Sequence, residues 1–308
     1  MTVRVSDIAF VRFGAPDLDE MDAFLTDFGL HLAARDANTL YMRGAGDDGF
    51  VHVTHQAAEA SFIGLAFEVG DESELTALSQ MPAFGAVGDL DGPGGGRVVH
   101  AVDPNGFSVE VVAARNSLGK LATPASATVN GAASRPRRGT AVRLDRGPSH
   151  VQRLGHCVLN VVDFRTSEAW YKDHLGLVTS DEVALDEHNA LGAFLRCDQG
   201  ATYVDHHTLF LVGIGRAQFN HAAFEVADFD DLMRGHTHLT ERARVAQWGI
   251  GRHLLGSQIY DYWLDPHGHM LEHWTDGDLF NHETPPNIAS IDDLLASQWG
   301  PTHGHPPT

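Results

Sequence analysis

The chain states one pattern twice. From residue 8, IAFVRFGAPDLDEMDAFLTDFGL leads to LAFEVGDESELTALSQM and then to VVHAVDPNGFSVEVV. From residue 154, LGHCVLNVVDFRTSEAWYKDHLGL leads to HAAFEVADFDDLMRGHTHL and then to YDYWLDPHGHMLEHW. Each half gives an apolar strand, a helix started by Asp, further strands, a second strand–Asp–helix and a strand–DPxG–strand hairpin. A long internal repeat dictates architecture before any single residue does. The implied unit is βαβββ, used four times. The predicted fold is α+β: two domains, each of two βαβββ modules forming curved, barrel-like sheets. Asp163 and Asp228 are predicted N-caps, each followed by apolar residues at helical spacing.

Between the halves, residues 115–150 are rich in Ala, Ser, Gly, Pro and Arg and lack apolar periodicity. They read as a long connection. The expected organisation is a first domain over 1–113, a linker over 114–149, a second domain over 150–285 and a tail over 286–308. Lys and Arg number 21 against 41 Asp and Glu, a net charge of −20. A phosphate backbone or an anionic lipid surface would be repelled, so nucleic-acid and membrane partners are not expected. The two cysteines, Cys157 and Cys197, form no CxxC pair, which argues against a thiolate zinc site. No apolar run approaches membrane-spanning length and the N-terminus shows no leader pattern, so a soluble cytoplasmic protein is expected.

The anomaly is 20 histidines. His303 and His305 sit in a Pro/Gly-rich tail, and His236 and His238 lie in a helical stretch where they are expected to face water. The repeat singles out two others. His156 and His221 hold matching positions on the first strands of the third and fourth units, where the first half has Phe10 and Gly64. Glu272 matches Glu110 on the strand after DPxG. A lone carboxylate in a run of Leu, Met and Trp is costly unless a hydrogen bond, a charge or a metal compensates it. Either histidine alone would read as a hydrogen-bonded core residue. Together with Glu272, from three strands of one half only, they read as a two-histidine, one-carboxylate metal triad with open positions, a set suited to non-haem iron(II).

These residues resemble the type I extradiol ring-cleaving dioxygenases of the vicinal oxygen chelate superfamily. The resemblance spans roughly residues 5–113 and 150–285. It is most specific in GRHLLGSQIYDYWLDPHGHMLE, where His253, Tyr262, Pro266, Gly268 and Glu272 match the family signature. It implies iron(II), or manganese(II), held by His156, His221 and Glu272. It further implies a catechol-type diol and O2 as substrates, His206 as the acid/base residue, and Tyr262 and His253 as hydrogen-bonding partners of the diol. His206 is chosen because it lies fifteen residues before His221 in the stretch VDHHTLFLV; His207, its neighbour on an expected strand, should then face the other way. Asp261 departs from the family pattern, which leaves Tyr260 as a competing assignment. A homo-oligomer is expected. The alternatives are a glyoxalase-like isomerase or lyase of the same superfamily, and a non-catalytic small-molecule binder. The segment after Glu272 is expected to pack over the site mouth or at an oligomer contact.

Overall fold

A computed structural model describes residues 3–186 and 188–301. The first module runs β1 (Asp7–Ala15), α1 (Leu18–Phe28), β2 (His31–Arg35), β3 (Thr39–Arg43) and β4 (His52–Gln56). The second runs β5 (Ser61–Glu68), α2 (Glu72–Ser79), β6 (Gly88–Asp89), β7 (Arg97–Val102) and β8 (Ser108–Ala113). After a connection without helix or strand, the third has β9 (Val151–Val161), α3 (Phe164–Leu175), β10 (Val178–Ala184), β11 (Ala190–Arg196), the short β12 (Val204–Asp205) and β13 (Leu209–Gly213). The fourth has β14 (Gln218–Val226), α4 (Phe229–Glu241), β15 (Val245–Ala246), β16 (Gly251–His253), β17 (Ile259–Leu264) and β18 (Met270–Thr275). The tail adds β19 (Leu279–Phe280), β20 (Asn287–Ser290), α5 (Ile291–Leu295) and β21 (Ser297–Trp299). The fold is the α+β pair of curled sheets that the repeat requires. Among the described residues no helix is long and apolar enough to cross a membrane.

Within every module the first strand pairs in parallel with the last: β1 with β4, β5 with β8, β9 with β13, β14 with β18. Two modules join along an antiparallel seam, β1 with β5 and β9 with β14. Because a helix intervenes between first and second strands, this parallel closure is possible, and it curls each sheet into a trough. All four long helices start on an aspartate whose side chain accepts backbone N–H groups: Asp17, Asp71, Asp163 and Asp228. Each such cap stabilises its helix by about 1 kcal/mol. The DPxG turns are built alike. Asp265 Oδ1 accepts from the backbone N–H of His267 and His269, and Gly268 takes φ +85°, a conformation a side chain would resist.

The outer faces of the sheets pack on the helices in one apolar core shared by both halves. Phe28 of α1 stacks on His273 at 3.8 Å, and His273 Nε2–H donates to the Phe28 carbonyl at 2.6 Å. Asp27 accepts from His238 Nε2 at 3.1 Å and from Arg244 at 2.6 Å. His236 Nδ1 meets Asp261 Oδ2 at 3.1 Å. The expectation that His236 and His238 face water is therefore corrected: one tethers α4 to β17 and the other bridges the halves. Their polar partners lie far away in sequence, so helical periodicity could not reveal them. His303 and His305 lie outside the described residues.

The inner faces differ between the two troughs. In the first, Phe10 and Phe50, with ring centroids 4.7 Å apart, fill the space with Val53, Ala66, Leu90 and Val98. Glu110 is clamped there by Arg12 through two hydrogen bonds of 2.5 and 3.0 Å. The second trough has small or polar groups at the equivalent places and keeps a cavity.

Candidate metal centre

Register explains why three side chains meet. His156 on β9 stands opposite Ala223 on β14, and Ala223 stands opposite Glu272 on β18. His221 lies two residues before Ala223, on the same face. The row Phe10, Ala66, Glu110 is its counterpart in the first sheet, which supports the repeat equivalence by strand pairing. Alanine at the centre leaves the room that three larger side chains need.

Glu272 is fully buried. One of its oxygens, Oε2, lies 3.3 Å from His156 Nε2 and 3.3 Å from His221 Nε2. Neither carboxylate oxygen makes a hydrogen bond of acceptable geometry. A buried, ionisable group left this way asks for a cation. Burial pushes the Glu272 carboxyl up, but His156, His221 and His253 around it outweigh burial and hold it well below the usual range. Burial likewise pushes His221 down, favouring the neutral imidazole a metal needs. One ligand atom from each of His156, His221 and Glu272 lies within 4.8 Å of the others. Two imidazoles and a carboxylate so placed fit a divalent transition metal with positions left open. Asn220 Oδ1 accepts from His221 Nδ1–H at 2.9 Å, which turns the other nitrogen, Nε2, toward Glu272.

β17 brings the next two groups. Tyr262 stands opposite Glu272 in the β17–β18 ladder, and its hydroxyl is 2.9 Å from His253 Nε2. Tyr260 shares that face of the strand, but its hydroxyl bonds Ser297 and donates to the Pro301 carbonyl, both at 2.7 Å. It anchors the tail. Asp261 points the opposite way, fully buried, and accepts from Trp263 Nε1–H at 2.6 Å. The departure at Asp261 thus lies on the far side of the strand from the triad.

The two adjacent histidines are placed differently from the sequence expectation. His207, not His206, lines the cavity, with its ring 4.1 Å from that of His156. His206 lies behind it, its Nδ1 3.0 Å from His207 Nδ1 and its Nε2 2.6 Å from Asp181 Oδ2. Residues 206–208 are not strand: β12 ends at Asp205 and β13 begins at Leu209. Strand alternation therefore gives no guide to which histidine faces inward.

The cavity holds about 270 Å³. Its polar lining is His156, His207, His221, His253 and Tyr262, and its apolar lining includes Val158, Phe194, Phe210, Val212 and Leu255. Leu294 and Leu295 of α5 close part of it, so the tail does pack over the site. β20 pairs with β10 and β21 with β16, which holds α5 there. Trp248 and Gln258 also line the space and were not singled out from sequence, since neither sits in the repeat's periodic positions.

The model of the Glyoxalase/Bleomycin resistance protein/Dioxygenase superfamily matches residues 153–273, the stretch that carries the triad. Metapyrocatechase 2 of Cupriavidus necator is 29% identical, over 96% of this chain and 89% of that protein. Among solved structures, the Mn(II)-bound glyoxalase from Novosphingobium aromaticivorans superposes with a TM-score of 0.78 at 23% identity, covering 99% of this chain and 96% of that one. The 2,3-dioxygenase LapB from Pseudomonas sp. KL28 superposes with a TM-score of 0.76 at 16% identity, covering 95% and 100%. The repeat, the triad and these likenesses together support a type I extradiol dioxygenase of the glyoxalase/bleomycin resistance/dioxygenase, or vicinal oxygen chelate, superfamily.

Proposed function

We propose that the protein is an extradiol dioxygenase: it opens the ring of a catechol-type diol with O2, at a divalent metal held by His156, His221 and Glu272. The observation that carries this is the convergence of Tyr262, His253 and His207 on the open side of the triad. A purely binding protein needs none of them. Held by His156, His221 and Glu272, iron(II) or manganese(II) would supply a Lewis-acidic, redox-active centre for the diol and O2. The rest falls to the side chains. Tyr262 and His253 hold the diol oxygens through hydrogen bonds and fix the ring in one orientation. His207 takes a proton from a diol hydroxyl through Nε2 and gives it back to an oxygen atom of O2 as the O–O bond breaks, both atoms staying with the ring-opened product. Burial pushes His207 well below the usual imidazole range, so it starts neutral, as a base must. Trp248, Leu294 and Leu295 keep bulk water from the reacting oxygens.

The apolar lining of the cavity narrows the substrate. Its volume, about 270 Å³, lies at the lower edge of the about 300–1,000 Å³ typical of ligand pockets, which suits one substituted ring. Among the described residues no Lys or Arg lines it. A substituent carboxylate would be buried without a partner, at a cost of several kcal/mol. Small alkyl catechols are the substrates expected. Protein loaded anaerobically with iron(II) should bind 4-methylcatechol at least about tenfold more tightly than 3,4-dihydroxybenzoate, followed by calorimetry, and should give a yellow ring-fission product on admitting air. A metal-dependent isomerase of the same superfamily would hold the metal yet leave every diol intact. Absence of both metal retention and diol cleavage would sink the proposal.

The two tyrosines separate by role. Tyr262→Phe is expected to keep the metal and to lower kcat/KM about ten- to a hundredfold, the worth of one hydrogen bond to a charged group. Tyr260→Phe should instead loosen the tail, seen as faster proteolysis beyond residue 290, with catechol affinity much less affected. The reverse pattern would reassign the substrate contact to Tyr260.

A further inference from the structure

His206 and Asp181 are buried, touch neither the cavity nor the triad, and yet end on a side chain that does. Asp181 sits on β10. Its Oδ1 accepts from Asn287 Nδ2–H of the tail at 2.9 Å, and its Oδ2 is 2.6 Å from His206 Nε2. Burial pushes the Asp181 carboxyl up, but the bonds from His206 and Asn287 outweigh it and the group stays ionised. An ionised carboxylate can only accept, so His206 Nε2 carries a hydrogen. A neutral His206 then has a bare Nδ1. The neighbouring nitrogen, His207 Nδ1 at 3.0 Å, must supply the hydrogen of that bond. Neutral His207 is left with its lone pair on Nε2, across the ring.

We propose that Asp181 and His206 are positioning residues for His207, fixing its ring and its tautomer so that Nε2 faces the cavity as a proton acceptor. This rests on the dioxygenase reading, in which His207 moves the diol proton. A carboxylate orienting a catalytic imidazole through its other nitrogen is a general device; here a second imidazole stands between them. The tail takes part, because Asn287 fixes the far oxygen of Asp181. Gly256 completes the support: a Cβ there would lie 3.0 Å from His206 Nδ1, so the glycine lets its loop close over the imidazole.

The distinguishing variant is Asp181→Asn. Its amide, with the oxygen still facing Asn287, donates to His206 Nε2, moves the His206 hydrogen to Nδ1 and so forces His207 into the Nε2–H form. Nitrogen-15 spectra of histidine-labelled protein, metal-free and zinc-loaded, read this without turnover. The expected result is a His207 with bare Nε2 in the parent chain and protonated Nε2 in Asp181→Asn, with kcat reduced on the order of 10²-fold or more while iron content and anaerobic catechol affinity hold. His206→Gln can still donate to Asp181 and accept from His207, and should retain the tautomer and most of the rate. A parent His207 already protonated at Nε2, or one unchanged in Asp181→Asn, overturns the proposal. Should His207→Phe turn over normally, the dioxygenase role of His207 fails instead, and the tautomer result stands apart from it.

Discussion

Glu272→Ala is expected to give a folded protein that loses its metal on dialysis and cleaves no diol. The strand that carries residue 272 is paired on both sides, to β14 and to β17, so the backbone is held without the side chain. What disappears is the one carboxylate of the proposed ligand set. His156 and His221 alone are neutral donors, and the affinity loss should exceed the about 10–100-fold that outer-shell changes cost at metal sites. His156→Ala and His221→Ala should lose metal too, whereas Phe10→Leu in the first trough should alter packing and leave metal per folded protein unchanged. Metal analysis after dialysis against a weak chelator decides it: full occupancy in all three ligand variants would falsify the triad.

The triad was legible because the sequence contains its own control. Two halves with the same strands and caps differ at positions 10/156 and 64/221, and a difference between repeats cannot be a demand of the fold. Strand pairing supports that comparison, since the rows through Ala66 and Ala223 superimpose residue for residue. The helices were equally open to reading, through Asp at each start and apolar residues on one face. What escaped lies where periodicity stops. His206 and His207 occupy a bend between two strands, and counting back along β13 from Val212 and Phe210 would have aimed Thr208 and His206 at the cavity, whereas His207 lines it. Asp261 stood out as a departure from the family pattern, and its partners, His236 and Trp263, are on the helix side. The tail's role over the cavity was only half visible. Composition showed that it was too apolar to be free, but its seat depends on pairing with β10 and β16, far away in sequence.

His207→Phe should separate binding from chemistry. The ring of residue 207 lies against His156 and Phe194, centroids 4.1 and 4.9 Å away, so a phenyl group of similar size keeps the packing. Iron is expected to stay, because residue 207 is not among the three side chains that converge as candidate ligands. Catechol should still bind under nitrogen, since Tyr262 and His253 remain to meet its oxygens. Turnover under oxygen should fall on the order of 10²–10⁴-fold, the usual contribution of a general acid–base group. The loss is incomplete because water in the cavity can carry the proton slowly. The phenyl variant also strands a buried nitrogen of His206, at a cost of about 1–3 kcal/mol in stability. His207→Gln, with a polar end toward His206, avoids that penalty and should show the same rate loss in a more stable protein. An anaerobic titration alongside single-turnover kinetics makes the distinction. Near-normal turnover in both variants, with a collapse only when His206 is changed, would return the acid/base role to His206.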